Sequence, residues 1–332
     1  NYLEKAENTL FFFDDDNDGL CSFILFRNFS GNGVGIPIKT NPDLSAALLN
    51  RVEEHRPDFI FILDKPIVSQ DFLDGVNVPV IWLDHHPVVK RDRVLYFNPK
   101  LKDEKENSST TYWAYKAVNG KLWIATIGAI SDWTIPDFFD EFEERYKDLT
   151  NGKKDPPSLL YDSKFGELCR IFSFLTKGKT SDVKRNIAAA LNVKGPYEIL
   201  NQETKEGKII FAHSEEITKR YKEILDKALK VKADGKLIVF TYSSSDLSLT
   251  ADLSNELLYR NPGKLILVAR KKDDEMRMSF RSDSFPIDKI LEKALKNVEG
   301  YGGGHRHAVG ANVKARDFDK FIEVIKEEIS KK

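Results

Sequence analysis

The stretch Phe11-Phe12-Phe13-Asp14-Asp15-Asp16-Asn17-Asp18-Gly19 joins a short apolar run to four carboxylates within five residues. Its apolar part, from Thr9 to Phe13, reads as a buried strand, and Gly19 to Phe29 reads as a helix entered through the acidic turn. Carboxylates this close together repel one another, and burying them unpartnered is costly. A divalent metal ion is the expected neutralising agent.

The same order of strand, acid and helix recurs further along. Asp43 to His55 has helical spacing, Phe59 to Leu63 is a short apolar strand ending at Asp64, Ser69 to Leu73 is helical, and Val78 to Leu83 is a strand ending at Asp84. Short apolar strands alternating with helices predict an α/β lobe, a parallel sheet with helices on both faces, whose ligands gather at the carboxyl ends of the strands. The third acid opens Asp84-His85-His86-Pro87. Alone, such a trio is a polar loop with a satisfied histidine pair. As the third strand-end acid in a row, Asp84 is expected to orient an imidazole through one N–H and leave the other nitrogen for metal. Asn98-Pro99 closes a further strand, and Ser108-Ser109-Thr110-Thr111 supplies N-cap chemistry for a helix running to Val118. The apolar Leu122 to Ile130 then runs into Ser131-Asp132. Asp132 taken singly is a turn or helix-end residue; within the set it is a fourth candidate ligand.

At 332 residues the chain is long for one domain, and two are expected. A hydrophobic content of 41% with 22 Phe supports sizeable cores. Lys and Arg (51) nearly cancel Asp and Glu (52), so any nucleic-acid surface must be local. Cys21 and Cys169 lack metal-ligand spacing and suit a reducing, cytoplasmic compartment. No apolar run approaches membrane-spanning length and no secretory leader opens the sequence, so a membrane role is not expected.

From Ile135 to about residue 233 the pattern turns helical, with repeats of helical spacing over Lys164 to Leu175, Thr180 to Leu191, Tyr197 to Gln202 and Glu215 to Lys230. Asp140, Glu141, Glu143 and Glu144 form an acidic face there, read as solvated surface or as a docking face. Gly235 onward returns to strands and helices, predicting a smaller α/β lobe. In Met276-Arg277-Met278-Ser279-Phe280-Arg281 strict alternation puts Met276, Met278 and Phe280 on a core face and Arg277, Ser279 and Arg281 on the other. Gly300-Tyr301-Gly302-Gly303-Gly304-His305-Arg306 packs four glycines into five positions before a strand from Ala308 to Val313; alone such a run is most often a flexible turn. Glycines let backbone N–H groups approach an anion, so Gly302, Gly303, Gly304, His305 and Arg306, with Arg281 opposite, are a candidate phosphate site.

Asp14 to Gly19, then Asp64, then Asp84-His85-His86, then Asp132 resemble, in order and approximate spacing, the four motifs of the DHH phosphoesterase family. The run Gly302-Gly303-Gly304-His305 with Ala308 to Ala311, together with Arg281-Ser282, resembles the glycine-rich signature of the DHH-associated C-terminal domain. Members of the family include RecJ-like single-strand exonucleases, nanoRNases and cyclic-dinucleotide phosphodiesterases. The resemblance implies a DHH metal-binding catalytic domain over 1–134, a helical connector over 135–233 and a substrate-binding domain over 234–332, with the lobes forming a groove. It implies two divalent ions, Mn²⁺ preferred over Mg²⁺ because of the histidine ligand. Asp64 would bridge them, Asp16 would serve the first, and Asp18, His85 and Asp132 the second. His86 would contact the phosphate or position the leaving group rather than bind metal, and Asp84 and His86 are taken as the catalytic residues. Several branches carry a histidine four residues before Asp16, where this chain has Phe12; Asp14 is then expected to compensate at the first metal, in the manner of the RecJ-like branch, and Asp15 to point away. The expected activity is metal-dependent hydrolysis of single-stranded or short DNA or RNA to nucleoside monophosphates. The alternatives are a hydrolase of cyclic dinucleotides or other small phosphoesters, and a replication or repair scaffold that docks partner proteins.

Overall fold

The computed structural model describes residues 2–39, 43–243 and 247–331. The chain divides into two compact units, Asn1–Ser214 and Glu215–Lys332.

In the first unit five parallel strands, β1 (Thr9–Asp14), β2 (Val34–Ile38), β3 (Phe59–Leu63), β4 (Val80–Leu83) and β5 (Leu95–Phe97), lie in the order β2-β1-β3-β4-β5. Leu10 to Phe13 are wholly buried, as a central strand covered on both faces requires. Alternate residues feed two cores. Phe11 and Phe13 join Phe23 and Phe61 on one face, while Phe12 and Leu10 join Phe72 and Trp82 on the other. The chain leaves β1 toward β2 on one side and returns to β3 on the other, so the switch point of the sheet lies between β1 and β3. Asp14 ends β1 and Asp64 follows β3. The crevice that such a sheet offers to ligands is therefore lined by acids.

β2 was not legible as a strand, because Gly35 and Pro37 are strand breakers; at the sheet's edge a proline costs no ladder hydrogen bond. The segment expected to be one helix from Asp43 is in fact a two-residue strand, a single 3₁₀ turn and a helix over Leu49–His55. Helices α1 (Asn17–Ser30) and α2 (Thr110–Val118) follow the motifs as expected, and the apolar run before Asp132 forms a helix, α3 (Leu122–Ser131). Helices α4 (Lys164–Leu175) and α5 (Thr180–Asn192), in the stretch expected to connect two lobes, share their core with the sheet: Phe165, Phe172 and Ile187 sit in the cluster that holds Phe11 and Phe13. The boundary between the compact units falls at Ser214, inside the helix Lys205–Ala228.

The second unit has five strands, β6 (Leu237–Ser243), β7 (Leu265–Lys272), β8 (Glu275–Ser282), β9 (Gly300–His305) and β10 (Ala308–Lys314), in the order β9-β10-β8-β7-β6. Only β6 and β7 run parallel. Met276, Met278 and Phe280 pack with Val309, Ala311 and Phe321, as their alternation requires. The glycine run, read from the sequence as a phosphate cradle preceding a strand, is itself the edge strand β9. Gly302 lies so close to β10 that a Cβ there would meet Gly310 O at 2.7 Å, so a flat backbone approach is what the glycines permit.

Candidate metal centre

Asp16 caps α1: its backbone is extended and its Oδ1 accepts the Gly19 N–H at 3.0 Å. The turn is tight enough that a Cβ on Gly19 would stand 2.4 Å from Asp14 O. This fold-back sets Asp14, Asp16 and Asp18 around one helix N-terminus, where the dipole tolerates negative charge. Asp18 is buried and is held by a segment distant in sequence, its Oδ2 accepting Thr110 N–H at 2.8 Å and its Oδ1 Thr111 N–H at 2.7 Å. Those two N–H groups are orphan donors at the start of α2, so acid and helix satisfy each other. Asp64 sits at φ 60°, a left-handed conformation uncommon outside glycine, and accepts from Thr110 Oγ1 at 3.0 Å. Asp132 forms the C-cap of α3.

These elements bring donor atoms together in three groups, each within 4.8 Å: Asp14, Asp16 and Asp64; Asp18, His85 and Asp132; and Asp64, His85 and His86. Asp64 belongs to the first and third, and its Oδ1 lies 3.4 Å from His85 Nε2. His85 faces acids on both sides, Asp18 Oδ2 at 3.8 Å from Nε2 and Asp132 Oδ2 at 3.6 Å from Nδ1. These separations are long for hydrogen bonds. They are near the roughly 3 Å that separates neighbouring ligands about 2.1 Å from one ion. Burial holds the His85 ring below its ordinary pKa despite the acids, which favours the neutral, metal-binding form.

Asp84 does orient a ring, and the ring is His86. The carboxylate is wholly buried; His86 Nδ1 lies 2.8 Å from Oδ1, and Oδ2 accepts from His86 N–H at 3.2 Å, Tyr96 hydroxyl at 3.2 Å and Asn98 Nδ2 at 3.3 Å. Burial works against the charge on His86, but the Asp84 hydrogen bond and the charges of Asp84, Asp16 and Asp14 prevail and raise its pKa. With Nδ1 committed to Asp84, the orientation of the ring is fixed. Tyr96 and Asn98 were not legible as site residues, because a strand end tells nothing of which neighbour its side chains reach.

The donor set fits divalent cations. Burial, with the charges of Asp14 and Asp18, pushes Asp16 up to about 7, although its side chain also reaches the surface. Asp64 and Asp132 are raised in the same way, by burial and by their fellow acids. Five carboxylates crowd here, and an ammonium answers them: Lys65 Nζ bonds Asp14 Oδ1 at 2.8 Å from an almost wholly buried position. Lys65 carried no sequence signal, because a lysine after a strand-end acid reads as solvated. Asp15 stands outside the three groups; burial raises its pKa while Lys177 and Lys39 pull it down.

The other candidate residues lie in the second unit. Arg281 is not free: it reaches Asn255 Oδ1, Ser279 Oγ at 3.0 Å and its neighbour's carbonyl, Phe280 O, at 2.8 Å. In register it lies opposite Ala308, which in turn lies opposite His305. The side chain of His305 falls outside the described residues. Gly303 is open above its Cα, and Arg306 is exposed with its carbonyl accepting the Ile287 N–H at 2.7 Å. No helix among the described residues is long and apolar enough to cross a membrane.

Residues 234–331 match the DHHA1 domain. No curated protein matches the sequence. Among solved structures the chain is similar to RecJ from Thermus thermophilus in complex with Mn²⁺, with a TM-score of 0.69 and 14% identity over 99% of this chain and 53% of that one. The chain thus spans about half the length of that RecJ. It is similar to an exonuclease RecJ bound to manganese, with a TM-score of 0.62 and 14% identity over 99% and 92%. It is also similar to the pGpG-specific phosphodiesterase PggH from Vibrio cholerae, with a TM-score of 0.53 and 12% identity over 98% and 99%. At these identities what is shared is the fold.

Proposed function

We propose that this chain, which combines a RecJ-type DHH fold with a DHHA1 domain, is a metal-dependent phosphodiesterase that cleaves short or single-stranded nucleic acid from an end and releases nucleoside monophosphates. The observation that carries this reading is the convergence of Asp14, Asp16, Asp18, Asp64, His85 and Asp132 at the switch point of a parallel sheet. Divalent cations bound there, Mn²⁺ or Mg²⁺, supply Lewis acidity and lower the pKa of a water. Asp14, Asp16 and Asp64 would hold one cation, and Asp18, His85 and Asp132 another, each set drawn from donor atoms that lie within 4.8 Å of one another. His86, its ring oriented by Asp84, would donate a hydrogen bond to a phosphate oxygen or to the leaving group. Arg281 and the segment from Gly302 to Arg306 of the DHHA1 domain are proposed to contact further phosphates of the substrate. A role in replication or repair through partner docking belongs to the same proposal, and its test is a pull-down with charges reversed on the acidic face at Glu141.

A second reading keeps the chemistry and shortens the substrate to a dinucleotide or cyclic dinucleotide. Its support is the charge balance, 51 basic against 52 acidic residues, which gives no bulk basic excess to attract a long polyanion. Product analysis with Mn²⁺ on 5′-labelled and 3′-labelled DNA and RNA of two to twenty nucleotides separates the two. Hydrolysis confined to the shortest substrates removes the exonuclease reading, and hydrolysis of none removes both.

A further inference from the structure

Helix α3 ends at the Asp132 cap in a paired hydrogen-bond pattern: Trp133 N–H donates to Ile130 O at 3.0 Å and Thr134 N–H to Ala129 O at 3.1 Å. This is a Schellman ending, whose first residue beyond the cap must adopt a left-handed conformation and is usually glycine. Here that residue is Trp133, at φ 61°. A bulky side chain in this region is strained, and the surrounding structure gives it little in return. Its one ring neighbour among the described residues is Tyr161, at 6.5 Å and a tilt of 52°, and 43% of Trp133 remains exposed. By contrast Trp82 and Trp123 are buried in the cores. The strained, exposed indole is also the residue directly after Asp132, whose carboxylate lies 3.6 Å from His85. A strained residue beside a chemical site is a pointer to function.

We propose that Trp133 is a stacking platform for the nucleobase of the nucleotide whose phosphate is held at the metal centre. The inference rests on the phosphodiesterase reading and deepens it: the ligand is a base-bearing nucleotide, not a bare phosphate ester. An indole suits this task, since every base has a π-face and stacking tolerates sequence. The cap geometry fixes the backbone on both sides of the indole, so the platform is positioned by the same turn that positions Asp132. Glycine at 133 would satisfy the cap better and remove the platform.

The test compares 5′-AMP with ribose 5-phosphate, which carries the phosphate and no base, by calorimetric titration of the full chain in Mn²⁺, with tryptophan fluorescence as a second readout. Wild-type protein is expected to bind 5′-AMP more tightly than ribose 5-phosphate, with quenching by 5′-AMP alone. Trp133→Gly is expected to weaken 5′-AMP roughly tenfold, to leave ribose 5-phosphate unchanged, to lose the quench, and to keep or raise the Tm. Trp133→Phe is expected to restore most of the 5′-AMP affinity. Unchanged 5′-AMP affinity in Trp133→Gly overturns the inference. So does a Trp133→Gly protein whose Tm falls and whose affinity for both probes falls together, since Trp133 would then be a packing residue. Wild-type protein that binds neither probe overturns the phosphodiesterase reading, and this inference with it.

Discussion

Asp84 accepts its hydrogen bonds in a place closed to solvent, two from His86 and one each from Tyr96 and Asn98. Asp84→Asn keeps the shape and removes the charge that raises His86. The expected result is a kcat about 10- to 100-fold lower with Mn²⁺ stoichiometry unchanged, measured by steady-state kinetics beside metal titration. Lys65 acts in the opposite sense on the cations, since a fixed ammonium beside Asp14 repels an ion bound by the same carboxylate. Lys65→Met is therefore expected to tighten the Mn²⁺ site that includes Asp14 at least roughly tenfold, an electrostatic gain of about 1.4 kcal/mol. The same substitution leaves Asp14 unpaired in metal-free protein and lowers its stability by about 1–3 kcal/mol, read by denaturant titration in EDTA. Proton linkage follows from Asp16, Asp64 and Asp132. Their raised pKa values mean that the fold binds protons more tightly than the unfolded chain does. Stability from these acids is present below the ordinary carboxylate range and is lost as pH rises toward the value of about 7 at Asp16. Metal-free protein is thus expected to melt at a lower temperature at pH 8 than at pH 5, and saturating Mn²⁺ to remove that difference.

The elements explain both what could be read in advance and what could not. Strand ends at Asp14, Asp64 and Asp84 were legible because each is an apolar run that stops at an acid, and parallel sheets gather such ends on one edge. The helix ending at Asp132 was legible only through its place in the series. What the sequence hid was the company each acid keeps. The N–H groups of Thr110 and Thr111 reach Asp18 over more than ninety residues of chain, and nothing local in a Ser-Ser-Thr-Thr cap names its distant acceptor. Edge strands were the other blind spot: Gly35 and Pro37 disguised β2, and the glycine run disguised β9, because edge positions tolerate residues that a central strand excludes. Gly19 is the element-scale test. Gly19→Ala puts a methyl against the Asp14 backbone, where neither side can yield. The expected loss is about 2 kcal/mol or more, seen as a lower Tm, with Mn²⁺ affinity reduced because Asp14 and Asp18 are forced apart. Unchanged stability in the Gly19→Ala variant would contradict the tight turn.

Among the described residues the first unit keeps a core on each face of its β1 to β5 sheet, and the second unit has its own core on β6 to β10. Every proposed metal ligand lies in the first. Calorimetry is therefore expected to show two transitions, only one of which rises with Mn²⁺; at a hundredfold excess over Kd the gain is about 2.7 kcal/mol. Metal-dependent hydrolysis with Asp64 as a ligand underlies both enzymatic readings proposed for this chain. The decisive experiment is release of nucleoside monophosphate from a 5′-labelled trinucleotide by EDTA-stripped protein, Mn²⁺-loaded protein and Mn²⁺-loaded Asp64→Asn. Product is expected only from the loaded wild-type protein, with the variant slower by roughly a thousandfold or more, an amount in keeping with the loss of a major electrostatic contribution. Hydrolysis at the wild-type rate by the stripped protein or by the variant would contradict catalysis at that metal centre.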